Sequence, residues 1–329
     1  MAELRWNPMI KDWVMIASHR QNRPNMPKDW CPFCPGSGKV PEDYDVHVYD
    51  NDFPALSQTP PPAESQFETD FYKMLPAHGK CEVVLFSPKH NGSLNELADD
   101  KLGMLVDLWQ ERYIEISKDE KIKYVFIFEN RGDVVGVTMP HPHGQIYGYS
   151  VVPKKIEVEL DAAKEHFEVN KGECIFCHIN KEENEAGIRI ICENDDFIAY
   201  IPFFADYTYG VYIVSKLHKN NLADFNQSER LNLGRILRDI TGAYDNIFDY
   251  KFPYMMCMHN GPVNMENTPH SDHKSYYHFH IELYPPMRSA DKQQFQASSE
   301  TGVWAHCNPT SPEEKAEELR SALERFRIK

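Results

Sequence analysis

An internal repeat limits what this 329-residue chain can fold into more than any other feature. Its first half reads Cys31-Pro-Phe-Cys34, then an apolar stretch over 81–86 that ends in Ser87-Pro-Lys-His90. A segment with helical spacing follows, carrying Leu94, Leu97, Leu105, Trp109 and Tyr113, with Ser93-x-x-Glu96 as a candidate capping box at its start. Next come an apolar run over 124–128 leading to Asn130-Arg-Gly132, and His141-Pro-His143 running into Gln145, Tyr147 and Tyr149. The second half replays the order: Cys174-Ile-Phe-Cys177, a strand over 209–214 ending in Ser215-Lys-Leu-His218, and a helix with Leu231, Ile236, Leu237, Ile240 and Tyr244. It then continues through a strand over 254–258 into His259-Asn-Gly261, and His278-Phe-His280 before a strand over 281–284. Five elements in one order point to duplication of a single unit. Strands on either side of one helix favour an α+β fold, two tandem repeats that are each an antiparallel sheet with packed helices. The polar stretch 154–172 is the natural junction, which divides the chain into 1–160 and 161–329.

The repeat also sets a register for metal ligands. Two cysteines, the Ser-x-x-His histidine and the first His of His-x-His make a Cys2His2 set, which suits tetrahedral zinc. The first set is Cys31, Cys34, His90 and His141, and the second is Cys174, Cys177, His218 and His278. Four protein ligands close such a site, so its role is structural: the first would anchor His141 and, through Pro142, aim His143. Ligand softness leaves iron as an option at the second site. A redox role for Cys31 and Cys34 would instead require a reactive, low-pKa thiol. Cys81, Cys192, Cys257 and Cys307 stand alone and read as small apolar residues.

His141 and His143 are expected to face different ways, one held from behind and the other facing a substrate. A large fraction of histidine is neutral near pH 7, and the neutral ring is a nucleophile that can hold a phosphoryl group as an N–P bond. Gln145, two residues on, shares the face of His143 and can donate an amide N–H to a phosphoryl oxygen. Glu129-Asn130, Gly136 and Thr138 flank the motif, and the constellation reads as phosphoryl or nucleotidyl transfer. The second half has Glu282 at the corresponding place, a carboxylate that repels an anion, so the chemistry is assigned to the first half. The net charge of −15 argues against nucleic acids and anionic membranes as partners. Against that field an anionic substrate needs local cations, for which Arg20 and Arg23 are candidates. No apolar run approaches the ~20 residues of a membrane span, and Met1-Ala-Glu-Leu-Arg-Trp6 has no signal-peptide pattern. The expected compartment is the cytoplasm.

The stretch from Glu129-Asn130-Arg-Gly132 through Gly136-Val-Thr138 to His141-Pro-His143-Gly-Gln145 resembles the signature of galactose-1-phosphate uridylyltransferases, a branch of the histidine-triad superfamily. The likeness extends to Arg5-Trp-Asn-Pro8, His19-Arg20-Gln-Asn-Arg23-Pro24, Asn51-Asp52-Phe53-Pro54-Ala55 and Tyr284-Pro-Pro-Met-Arg288. The resemblance implies two histidine-triad-like repeats and a ping-pong reaction. His143 would take UMP from UDP-glucose and pass it to galactose-1-phosphate, with Gln145 and Thr138 on the phosphoryl group. It implies a uridine and ribose pocket at Asn51, Asp52, Phe53, Val83, Asn130 and Gly136, and phosphate contacts from Arg20 and Arg23. Glu300 would contact a hexose hydroxyl, and the enzyme would be a homodimer with the active site near the subunit interface.

Two departures stand out. Some family members hold a second metal with a Glu and three His, matched here by Glu159, His259, His278 and His280. Both sets use His278, so only one is expected to form, and the Cys2His2 set is preferred because it repeats the first half. Where the family has Lys followed by Gly-Tyr-Glu, this chain has Gln294 and Ser298-Ser299-Glu300, which bears on the acceptor sugar phosphate. The alternative within the superfamily is a nucleoside-diphosphate-sugar or dinucleotide phosphorylase, such as an ADP-glucose phosphorylase, with inorganic phosphate as acceptor. From another class, a zinc-stabilised nucleotide-binding protein would keep its function without His143.

Overall fold

The computed structural model describes residues 2–22 and 30–329. The first half contains strands β1 (Ala2–Asn7), β2 (Asp12–Ala17), β3 (His47–Asp50), β4 (Met74–Pro76) and β5 (Gly79–Leu85). Helix α1 (Asp99–Ser117) and strands β6 (Tyr124–Arg131) and β7 (His143–Tyr149) complete it. Helix α2 (Lys154–Val169) leads into the second half, with α3 (Ile175–Ala186), β8 (Ile190–Glu193), β9 (Phe197–Tyr200), β10 (Val211–Ser215) and α4 (Gln227–Ile247). Last come β11 (Tyr254–His259), β12 (His280–Tyr284), α5 (Ser298–Val303) and α6 (Pro312–Ile328).

The expected α+β duplication is present, and the two sheets are fused. Among the described residues nine strands run β3-β5-β7-β6-β11-β12-β10-β9-β8 in one antiparallel sheet, while β2-β1-β4 form a small separate one. The halves meet where β6 pairs β11, from Tyr254 opposite Arg131 to Met258 opposite Ile127. Outward from that seam β6, β7 and β5 mirror β11, β12 and β10, so the sequence repeat becomes a pseudo-twofold axis. The junction is a helix, and position 160 falls inside α2.

Strand alternation separates the two faces of this sheet. Val84, Ile127, Ile146, Met256, Met258, Ile281 and Leu283 are buried beneath the helices, in one core with Trp109, Leu237, Tyr244 and Leu319. Each such side chain withdrawn from water contributes roughly 1.5–3 kcal/mol. The other face carries the polar chemistry. One row crosses six strands as Val83, Gln145, Phe128, Cys257, Glu282 and Tyr212, each directly opposite the next. Gln145 and Glu282 therefore occupy equivalent places about the axis.

The helix ends differ from expectation. Ser93 makes no capping bond and opens a short 3-10 turn, Leu94–Glu96, so Leu94 and Leu97 are buried ahead of the helix proper. Helix α1 begins at Asp99, with Asp99 and Asp100 in its first turn, where the helix dipole favours negative charge. A capping box does form at α4: the Asn226 side chain accepts from the Ser228 and Glu229 amides, and the Glu229 carboxylate accepts from the Asn226 amide. No helix of the described residues is long and apolar enough to cross a membrane.

Candidate active site

On the polar face of the first half, a cavity of about 440 Å³ opens over β5, β7 and β6. It gathers Arg20, Asn51, Asp52, Phe53, Val83, Asn130, Gly136, Thr138, His143 and Gln145, all singled out from sequence. Arg23 lies outside the described residues. Glu300 does not line this cavity; it sits on α5, where its carboxylate accepts from the Ala297 amide. Gln294 is buried, its side-chain oxygen bonded to Thr208 and its amide group to the Asp206 carbonyl. The Ser299 hydroxyl donates to the Ala305 carbonyl. Sequence reasoning did not assign Phe33, Tyr49, Phe128, Met139 and Tyr147 to this site, although all five line it.

The nucleophile's geometry begins with the backbone. Residues two apart on a regular strand share a face. His141 and His143 diverge because β7 starts only at His143, leaving His141 in the extended segment before it. His143 Nδ1 lies 2.7 Å from the His141 carbonyl oxygen, which can only accept, so Nδ1 carries the proton and Nε2 is the lone-pair nitrogen. Phe33 packs against the ring at 5.5 Å between centroids. Gln145 is oriented by Tyr147, whose hydroxyl donates to Gln145 Oε1 at 3.1 Å, so the amide N–H groups are the donors left for a ligand. Gly144 allows β7 to press against β6, since a Cβ there would lie 2.9 Å from the Phe128 carbonyl oxygen. Gly136 ends the turn after β6 with φ +81°, a conformation that L side chains rarely adopt. On the far wall the Tyr49 hydroxyl donates to the Asp52 carboxylate at 2.8 Å, and Asn51 Oδ1 accepts from the Phe53 amide at 2.9 Å.

Behind His143, the first cysteine–histidine set converges as its spacing predicts. Cys34 Sγ lies 3.3 Å from His90 Nδ1 and 3.6 Å from His141 Nδ1, and Cys31 Sγ lies 3.7 Å from His141 Nδ1. A tetrahedral zinc with ordinary Zn–S and Zn–N bonds would hold sulfur and nitrogen ~3.6 Å apart, so the residues fit the ion. His141 Nε2 is bonded to the Ser87 carbonyl at 2.8 Å, which turns Nδ1 toward the sulfurs. Burial pushes the His141 ring down to about 4, which keeps it neutral and able to ligate. Burial, with Cys31 beside it, pushes the Cys34 thiol up to about 11, the opposite of what a redox thiol needs.

The second set repeats this arrangement. Cys174 and Cys177 lie 3.8 and 3.5 Å from His278 Nδ1, Cys177 lies 3.8 Å from His218 Nδ1, and His278 Nε2 is bonded to Ser215. His278 is therefore committed to the cysteines. The other candidate group forms nonetheless, with Glu282 in place of His278: Glu159, His259, His280 and Glu282 converge within 4.8 Å. The set of Glu159, His259, His278 and His280 does not form as such among the described residues, and the group with Glu282 shares no residue with the Cys2His2 set. His280 Nδ1 bonds the His278 carbonyl at 3.0 Å, as His143 does that of His141. Burial alone would raise the Glu282 carboxyl, but His259, His280 and Lys155 hold it well below its usual range. The second half thus fills with ion pairs the space that the first half leaves for a ligand.

Comparison with known proteins agrees with this geometry. The family model for the galactose-1-phosphate uridyl transferase N-terminal domain matches residues 1–153, and that for the C-terminal domain matches residues 159–324. A galactose-1-phosphate uridylyltransferase of Thermotoga maritima is 40% identical, over 97% of this chain and 98% of its own length. One of Haemophilus influenzae is 30% identical, over 97% and 94%. A solved uridylyltransferase structure, 30% identical, superposes with a TM-score of 0.88 over 98% of this chain and 99% of its own. An ADP-glucose phosphorylase from Arabidopsis thaliana shares the fold, with a TM-score of 0.74 at 24% identity over 97% and 98% of the two chains. Both domain models in sequence order, with relatives matched over nearly the full length of both chains, make the chain a member of the galactose-1-phosphate uridylyltransferase family.

Proposed function

We propose that the chain transfers UMP from UDP-glucose to galactose-1-phosphate through a uridylylated His143. The observation that carries this reading is the pairing of His143 Nδ1 with the His141 carbonyl, beside the Gln145 amide, in one cavity. In the first step Nε2 attacks the α-phosphorus, an N–P bond forms, and the P–O bond to glucose-1-phosphate breaks. The ring becomes a cation that keeps its Nδ1 proton against the His141 carbonyl, and this makes it a good leaving group. In the second step a phosphate oxygen of galactose-1-phosphate attacks the same phosphorus and the N–P bond breaks, which restores neutral His143. Arg20, Gln145 and Thr138 are assigned to the charge on the phosphoryl oxygens, where preorganised donors contribute most. Asn51, Asp52, Phe53, Val83, Asn130 and Gly136 are assigned to uridine and ribose, and Arg23 to the phosphates.

Cys31, Cys34, His90 and His141 would hold one structural zinc, and Cys174, Cys177, His218 and His278 a second ion, zinc or iron. A closed Cys2His2 ion supplies rigidity, not Lewis acidity at the substrate. Glu300, assigned to the hexose, does not line the His143 cavity of its own chain, which supports a homodimer in which a second copy completes the sugar side. None of the eight cysteines is paired in a disulfide, which supports a cytoplasmic setting.

The test is intact mass after incubation with UDP-glucose and no acceptor, beside ADP-glucose. A UMP adduct on His143 that galactose-1-phosphate discharges is expected. An AMP adduct discharged by inorganic phosphate would move the assignment to the phosphorylase, and no adduct with either would leave a binding protein.

A further inference from the structure

Helices α2 and α3 form a hairpin on the second half, closed by a turn in which Lys171 and Gly172 both have positive φ. At this closed end His166 from the last turn of α2, Glu173 from the turn and His178 from the first turn of α3 converge. Each has a ligand atom within 4.8 Å of the others, and this group shares no residue with the clusters above. We propose that His166, Glu173 and His178 form a further, solvent-facing metal site for a divalent ion of borderline softness, such as zinc.

The spacing carries the proposal. His178 Nδ1 lies 3.3 Å from His166 Nε2 and 3.4 Å from Glu173 Oε2. Nitrogen and oxygen ligands around a tetrahedral zinc, at ~2.0–2.1 Å from the ion, sit ~3.3 Å from one another. One proton on His178 Nδ1 bonds either the other ring or the carboxylate well; an ion satisfies all three groups together. The far nitrogen of each ring also faces a polar group one helical turn on. His178 Nε2 is 3.6 Å from Glu182, and His166 Nδ1 is 3.2 Å from the Asn170 amide. Partners of this kind orient ligating histidines. His178 and Glu173 are about one-third and two-fifths exposed, so a fourth position would be open to water. Glu173 and His178 directly flank Cys174 and Cys177, whereas Trp30 and Pro35 flank the first pair, so the site belongs to the second repeat alone. Two thiolates neutralise a dication in the neighbouring Cys2His2 set, so the two sites would not repel each other. An ion here would tie the end of α2 to the start of α3.

The experiment uses the full chain with its tightly held metal in place and titrates it with cobalt(II) at neutral pH. One further equivalent is expected, adding weak d–d absorption without a thiolate-to-metal charge-transfer band. His178→Ala and His166→Ala should each abolish it, Glu182→Gln should weaken it about tenfold, and His306→Ala should leave it unchanged. His166 is half-buried on α2, so His166→Gln serves as a second variant if an alanine variant fails to fold. A thiolate band in the added spectrum, binding that survives loss of both histidines, or no further equivalent in the native chain would each overturn the site.

Discussion

At the scale of single residues, His141 joins two tasks: its ring faces the cysteines while its backbone carbonyl holds His143. Two variants separate them. His143→Ala should leave metal content and fold unchanged and remove the UMP adduct, with turnover lower by on the order of 10⁶, as for other lost nucleophiles. Cys31→Ser should lose about one metal equivalent and lower both stability and activity, since His141 loses its anchor. Metal analysis beside steady-state kinetics checks the pair; an equal loss of activity with metal unchanged in both would sink the anchoring role. Gln145→Ala should lower kcat by roughly 10²–10³ with little change in KM if its amide acts on developing charge. A KM effect alone would make it a ground-state contact. Much of this site was legible in the sequence, because residues of unusual chemistry recur at fixed spacing. Phe33 and Tyr49 were not, since an aromatic ring in a wall looks like any core residue until its neighbours are known. Tyr147 was within reach, lying two residues beyond Gln145 on the same face. The divergence of His141 and His143 was expected, but its cause is the place where β7 begins, which composition does not mark.

At the scale of the element, the core strands and long helices emerged from periodicity because each buries one face. Their ends did not, because a cap depends on local backbone conformation as well as residue type. Ser93-x-x-Glu96 and Asn226-x-x-Glu229 look alike in sequence, yet only the second caps a helix. Asn226→Ala should cost about 1 kcal/mol. Ser93→Ala should cost nothing or stabilise slightly, because the buried Ser93 hydroxyl has no hydrogen-bond partner among the described residues. Urea midpoints of the two variants provide the comparison, and equal losses would contradict the assignment. Helix α2 was read only as a polar junction, since alternating charge over 154–172 suits a solvated helix as well as a linker.

At the scale of the whole molecule, stability should depend on pH through His273, which is 4% exposed. Burial pushes its ring down to about 4. The unfolded chain takes up that proton near pH 6.5, so the contribution is complete above that value and lost as pH falls toward 4, by roughly 3 kcal/mol. Buried Glu129, pushed up to about 7, works in the opposite sense: it favours the fold in acid and loses that contribution as pH rises from about 4.5 to 7. The difference in unfolding free energy between the native chain and His273→Asn isolates the histidine. It should shrink as pH falls from 7 to 4, and a constant difference would contradict the assignment. The duplication was legible in the sequence, whereas the fusion of both repeats into one sheet was not, because neither β6 nor β11 carries a mark of its partner. That fusion has a consequence for solubility. Two separate sheets would present four open strand edges, each a template on which another chain could stack, and joining them along β6 and β11 leaves two. One is β3, only four residues long. The other, β8, carries an irregularity between Ile190 and Cys192, and Arg320 of α6 occupies the Ile188 and Ile190 carbonyls. Ancestral doubling thus did more than leave a spare site for ion pairs: it hid two sticky margins inside the protein and left the remaining two short or covered.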